Sequence, residues 1–125
     1  MATNDKCDLV SKKCTACTKA TPPLSDERVD ELHRQIPNWR KMTEVAELTK
    51  DKVWLERHFT LRNFREAMTF LNNVAAIAEK EGHHPDFTLY NYKYVSIRLT
   101  THAIGKQLSE NDFIVAAKID AIYDS

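Results

Sequence analysis

Two consecutive stretches decide the fold: Val53-Trp54-Leu55-Glu56-Arg57-His58-Phe59-Thr60-Leu61, and the run that follows from Asn63 to Gly82. In the first, Val53, Leu55, Phe59 and Leu61 alternate with Trp54, Glu56, His58 and Thr60. A period of two sends the two sets to opposite sides of a pleated chain, so this is a strand with one buried and one wetter face. In the second, Phe64, Ala67, Met68, Leu71, Val74, Ala75 and Ala78 recur every three or four residues, the spacing of a helix with one apolar stripe. Asn63 is placed to cap its first turn and Gly82 to end it.

Outward from this pair the pattern continues in both directions. Upstream, Pro22-Pro23 breaks any regular structure, Ser25 caps a helix with Asp26 and Glu27 in its first turn, and Val29, Leu32 and Ile36 share a face before Pro37. A short strand is expected over Trp39 to Val45, and Thr49-Lys50-Asp51-Lys52 reads as a turn. Downstream, Phe87 to Tyr90 and Tyr94 to Thr101 are rich in strand formers and are joined near Asn91. Ser109 and Asp112 have the spacing of a capping box, opening a last helix with Phe113, Ala116, Ala117 and the stretch Ile119 to Ala121 as apolar positions. The order is α-β-β-α-β-β-α. Adjacent short strands suit hairpins, so the expected fold class is α+β, a four-stranded antiparallel sheet with three helices on one face.

The chain has 125 residues, enough for one core, with 18 basic and 18 acidic residues. That balance provides no general field for phosphate backbones or anionic membranes, and there is no local basic patch, so direct binding to nucleic acid or membrane is not expected. No apolar run approaches the length of a membrane span, and the N-terminus lacks the apolar centre of a secretory signal, which predicts a cytoplasmic address with a nuclear pool left open. Residues 1–21 read as a flexible polar tail and residues 22–125 as the domain. Cys7, Cys14 and Cys17 all fall in the tail, with no other cysteine to bridge to, and read as reduced thiols. Cys14-Thr15-Ala16-Cys17 has the spacing of a zinc or redox pair but lacks the further ligands or the βαβ setting that either requires.

The chemistry points to histidine. His83 and His84 follow the long helix directly, where Gly82 and Pro85 let adjacent side chains turn toward one pocket, and His102 lies at the end of the last strand. Imidazole titrates near pH 6.5 (about), so such a group supplies both a proton donor and a proton acceptor at neutral pH. Three imidazoles plus water is also a catalytic zinc arrangement, but adjacent ligands are awkward and no carboxylate is evident in the sequence to orient them. His33 and His58 read as structural, Arg98 as an exposed strand residue, and Asp112, taken alone, as a helix-capping residue. Two glycines are too few for a nucleotide-binding glycine loop, and no GxSxG or HExxH occurs.

The run Glu79-Lys80-Glu81-Gly82-His83-His84-Pro85-Asp86, with Val95, Ile97, Leu99 and Thr101-His102 after it, resembles the signature of the pterin-4a-carbinolamine dehydratases. Leu108 to Ile119, Trp39 and the approach to the long helix from Arg57 to Phe64 extend the resemblance to roughly residues 22–122. It implies dehydration of a 4a-hydroxytetrahydropterin to the quinonoid dihydropterin in tetrahydrobiopterin recycling, with no metal and no cofactor, the pterin being the substrate. By position it implies catalytic roles for His83, His84 and His102, with His83 and His102 favoured as the proton-transfer pair, and substrate contacts at or beside Glu79, Gly82, Thr101, Ala103 and Asp112. It implies a homodimer or homotetramer as well. Unpaired sheet edges, and a last helix whose Phe113, Ile114, Val115, Ile119 and Ile122 spread over more than one face, supply a physical motive for association. The alternatives from other classes are a non-catalytic dimerisation cofactor for a transcription factor and another role in pterin salvage.

Overall fold

The computed structural model describes residues 9–15 and 21–124. Helix α1 is Asp26–His33, followed by strands β1, Arg40–Glu44, and β2, Lys52–Thr60. Helix α2, Phe64–Glu81, leads to the hairpin of β3, Asp86–Tyr90, and β4, Tyr94–Leu99. A 3-10 turn, His102–Ile104, then precedes helix α3, Glu110–Asp124. The order α-β-β-α-β-β-α is as expected, and the sheet is antiparallel throughout with strand order β1-β2-β4-β3.

The local signals act as their chemistry requires. The Ser25 hydroxyl accepts from the Arg28 N–H at 3.2 Å, and Asn63 Oδ1 accepts from the Glu66 N–H at 2.9 Å, satisfying donors that the first turns of α1 and α2 leave free. Gly82 ends α2 in the left-handed region, with φ of 66°. Its N–H and that of His83 both reach the Ala78 carbonyl, so the chain leaves the helix in a fixed direction. The β3–β4 turn uses positive φ at Asn91 and Tyr92.

Register decides which side chains meet. In the central pair, Leu55 lies opposite Leu99, Arg57 opposite Ile97 and Phe59 opposite Val95, and all of these except Arg57 are at least 98% buried. They form one core with Val29 and Leu32 of α1, Ala67, Phe70, Leu71 and Val74 of α2, and Phe113 to Ala117 and Ile119 of α3, so the helices share one side of the sheet. Trp54, Glu56, His58, Ser96 and Arg98 have the opposite phase and occupy the open side. Arg57 fills the charged gap in the strand's apolar alternation: its guanidinium meets Asp120 of α3 at 2.5 Å, and Trp39 Nε1 donates to the same carboxylate oxygen at 2.8 Å. Burial pushes the Asp120 carboxyl above the ordinary carboxylate value, and these two partners pull against that shift.

Three expectations are corrected. β4 stops at Leu99, so His102 stands in the 3-10 turn rather than on a strand. The last helix has no spare apolar face, because Phe113, Ile114, Val115 and Ile119 are all 2% exposed or less and Ile122 packs against the core. Exposed large apolar residues lie instead at Val10, in the loop after β1 at Val45 and Leu48, on α2 at Phe64 and Met68, and around the hairpin at Phe87, Tyr90 and Tyr92. Part of the stretch read as a tail also lies against the domain: residues 9–11 form a helical turn and Leu9 is buried in the core. Cys7 and Cys17 lie outside the described residues.

Phe59 sits at the centre of the aromatic packing, with ring centroids 5.9 Å from Trp39 and 4.9 Å from both Phe70 and Tyr123. Phe59→Ala is expected to destabilise the fold by about 3–5 kcal/mol, from lost burial plus the cavity left between sheet and helices. Urea unfolding followed by fluorescence checks this: the midpoint should fall with an unchanged slope.

Candidate active site

The exits of α2 and β4 and the start of α3 converge on a cleft of about 250 Å³ lined by Gly82, His83, His84, Thr100, Thr101, His102, Ala103, Asn111 and Thr15. All three predicted histidines therefore border one space. Each arrives differently: His83 and His84 are aimed by the left-handed turn at Gly82, and His102 by the 3-10 turn that Gly105 closes with φ of 75°. Thr101 N–H and Lys106 N–H, bonded to the Gln107 and Thr101 carbonyls, hold this second turn against the body. At His102 the cleft adjoins a smaller hollow of about 120 Å³ on the open side of the sheet, lined also by Trp54, Asp86, Arg98, Lys52 and Lys106.

Beneath the cleft lies Asp112, fully buried. One carboxylate oxygen accepts from His83 Nε2 at 2.6 Å. The other accepts from the Thr101 hydroxyl at 2.8 Å and the Ser109 N–H at 2.9 Å. The Ser109 hydroxyl, free of the capping role its spacing suggested, is turned to Thr101 Oγ1 at 2.7 Å. This is the orienting carboxylate that the sequence did not reveal. Its sequence signature was that of a helix cap, and the Ser109 contact shows that it serves as one. With Nε2 committed to Asp112, the tautomer and ring plane of His83 are set and Nδ1 is left as the other proton-exchanging atom.

His84 differs. Its Nε2 meets Glu79 at 2.8 Å with both side chains mostly exposed, so Glu79 touches the rim through His84 and does not line the cleft. Gly82, Thr101 and Ala103 do line it, while Asp112 acts from below through His83. Asp86 and Arg98 stand on the open side, as expected of exposed residues. His33 and His58 lie apart from the cleft: His33 contacts the Trp39 carbonyl at 2.5 Å and His58 the Glu56 carboxylate at 2.8 Å. Among the described residues no group of three or more histidine, cysteine, aspartate or glutamate side chains is placed to hold a metal ion.

Sequence reasoning missed Thr15, Thr100, Asn111 and Glu81. The Glu81 side chain is 2% exposed and pairs with Lys118 at 3.1 Å while accepting from the Cys14 N–H at 2.8 Å. Burial works to raise its carboxyl, and the Cys14 and Lys118 contacts carry it below the usual carboxylate value. Burial, with Glu81 and Asp112 nearby, pushes the Cys14 thiol up to about 12. The one signal in the sequence was the apolar pair Leu9-Val10 in an otherwise polar segment.

A small α+β domain with a histidine-lined cleft over a buried carboxylate is the class that fold and site define. Residues 22–122 match the family model described as pterin 4 alpha carbinolamine dehydratase, and the chain belongs to that family. A relative from Nitrosospira multiformis, named "Putative pterin-4-alpha-carbinolamine dehydratase", is 41% identical over 116 residues, covering 93% of each chain. One of the same name from Alkaliphilus metalliredigens is 44% identical over 113 residues, covering 90% of this chain and 94% of its own. The Nitrosospira alignment takes in too much of the chain to fit between residue 22 and the C-terminus, so it extends into the N-terminal segment. Among solved structures, a transcriptional coactivator/pterin dehydratase from Brucella melitensis matches with a TM-score of 0.67 and 27% identity, over 82% of this chain and 99% of that one. A pterin dehydratase-like protein identified as a RuBisCO assembly factor in the alpha-carboxysome matches with a TM-score of 0.54 and 26% identity, over 70% of this chain and 92% of that one.

Thr101→Val removes the hydroxyl that donates to Asp112 while keeping side-chain shape. It should cost about 1–3 kcal/mol, because a buried carboxylate loses a partner that no water replaces. The midpoint of chemical unfolding measures this, and a change under about 0.5 kcal/mol would show that Asp112 does not depend on Thr101.

Proposed function

We propose that this protein is a hydro-lyase acting on 4a-hydroxytetrahydropterin, releasing water to give the quinonoid dihydropterin by histidine acid/base catalysis. The observation that carries the reading is the His83–Asp112 pair at 2.6 Å, set at the edge of a cleft that His84 and His102 also line. The reaction needs two proton movements. A protonated imidazole gives its proton to the departing 4a hydroxyl, the C–O bond breaks and water leaves. The adjacent ring nitrogen passes its proton to a neutral imidazole as the new carbon–nitrogen double bond forms, so the protons balance and the histidine pair returns to its starting state after exchange with solvent. His83 and His102 are the proposed pair, since His83 is held by a buried carboxylate and His102 lines the same cleft from another chain segment. His84, tied to Glu79 at the rim, orients the ring.

The Brucella structure, that of a transcriptional coactivator/pterin dehydratase, supports a second reading in which the chain serves as a coactivator, and the assembly-factor structure supports a scaffold reading. The histidine cleft favours catalysis, because a scaffold has no physical use for three imidazoles around one space. Association into a homodimer or homotetramer belongs to the same proposal. β1 and β3 are the outer strands of the sheet, and Phe87, Tyr90 and Tyr92 lie exposed on and beside β3.

Purified protein should accelerate loss of a synthetic 4a-carbinolamine beyond its spontaneous dehydration. His83→Ala and His102→Ala should each lower turnover by about 100-fold or more, and His84→Ala should chiefly raise KM. Wild-type kinetics in all three variants would defeat the assignment. The proposed chemistry uses no metal, so the rate should survive exhaustive chelation; loss restored by stoichiometric zinc would overturn that part.

Light scattering should give two or four times the 14.4 kDa chain mass, and a mass of one chain that persists at high concentration would refute association.

A further inference from the structure

The segment ahead of α1 has no part in the proton transfers, yet it borders the site. Thr15 stands in the same cleft as His83, His84 and His102. Several attachments hold the segment there, among them an ion pair of Lys12 with Glu110 at 3.8 Å and a contact of the Cys14 thiol with the Asn111 carbonyl at 3.7 Å. Leu9, 2% exposed, is buried in the core. The Cys14 N–H donates to buried Glu81 at 2.8 Å. The Asn111 side-chain amide takes hold of Thr15 on both polar sides, accepting from its N–H at 3.0 Å and donating to its carbonyl at 2.6 Å.

The attachment points are next to the catalytic machinery in sequence. Glu81 directly precedes Gly82-His83, and Asn111 directly precedes Asp112, the carboxylate that holds His83. The attachments at Cys14 and Thr15 lie where the segment reaches the cleft. A side-chain amide paired with both backbone groups of one residue also fixes its position in two directions at once. The segment lies outside the matched family domain, while the alignment with the Nitrosospira relative is long enough to take in at least residues 10–15.

We propose that residues 9–15 are a strap completing the wall of the cleft, in which Thr15 is a specificity-determining contact for the pterin and Asn111 is a positioning residue that acts through Thr15. The proposal rests on the dehydratase reading for its substrate. Removing the Asn111 amide frees the Thr15 end of the strap while leaving the His83–Asp112 pair in place, so binding weakens and the chemical step does not.

The test uses full-length chain carrying Cys7→Ser and Cys17→Ser, leaving Cys14 as the one thiol to report on the strap. A docked Cys14 is half-buried with its thiol pushed up to about 12, and so reacts slowly with iodoacetamide. Asn111→Ala should speed that alkylation by about tenfold or more, raise KM about tenfold and leave kcat within about twofold, with Asn111→Asp, which keeps the acceptor and loses the donor, intermediate. Thr15→Gly, which keeps both backbone hydrogen bonds, should raise KM with Cys14 still protected. Binding of 7,8-dihydropterin, followed by tryptophan fluorescence, gives the same ranking without turnover. Faster alkylation with unchanged KM and unchanged binding would overturn the proposal, as would unchanged alkylation in Asn111→Ala. Failure of the wild-type chain to bind or turn over any pterin would instead defeat the dehydratase reading, and the strap's assigned substrate with it, while alkylation still reads the clasp by itself.

Discussion

The Asp112 carboxylate is the constraint on which the rest of the site depends. A carboxylate with no solvent contact is tolerable only if its lone pairs are engaged, and here the partners come from three parts of the chain: the His83 ring after α2, the Thr101 hydroxyl after β4 and the Ser109 N–H ahead of α3. Satisfying one buried group therefore brings three chain segments to one point. The cleft is the space left above that point, and its floor cannot shift without exposing or orphaning a charge.

A similar logic recurs at the partly buried Asp120, which joins Trp39 and Arg57, and at Glu81, which joins Cys14 and Lys118. Each links elements distant in sequence and each uses a residue of α3 or its immediate partner. α3 is thus more than a cover for the sheet. Its N-terminal turn serves the site through Asn111 and Asp112, its middle fills the core, and its last turns lock the first strand region through Asp120. The near-complete burial of its apolar residues follows, and it explains why this helix has no face to spare for a second copy.

Family membership and the geometry bear on function at different levels. The family defines the chemistry to look for, while the distances define which groups are positioned to do it. His83 is held from below by a buried carboxylate, His84 meets Glu79 at an exposed rim and His102 is carried by a short 3-10 turn that Gly105 closes. Three residues of one type are thereby given three different surroundings, on which the proposed division into proton donor, acceptor and orienting group rests.

The strand from Val53 to Leu61, the helix from Phe64 to Gly82, its caps, and the order of elements were legible in the sequence because each rests on local periodicity or on a backbone conformation that one residue type favours. The clustering of three histidines was legible too, although His102 was read at a strand end and stands in a 3-10 turn. What only the tertiary structure decided is everything that depends on contact across long sequence separation. Asp112 read as a cap, and its bond to His83 spans 29 positions. Arg57 drew no structural reading from the alternation, and its partner Asp120 lies 63 positions away. Thr15, 96 residues before Asn111, read as tail. No local pattern encodes such pairs, because a polar side chain has the same sequence context whether it faces water or a buried partner; only the folded chain determines which of the two it meets.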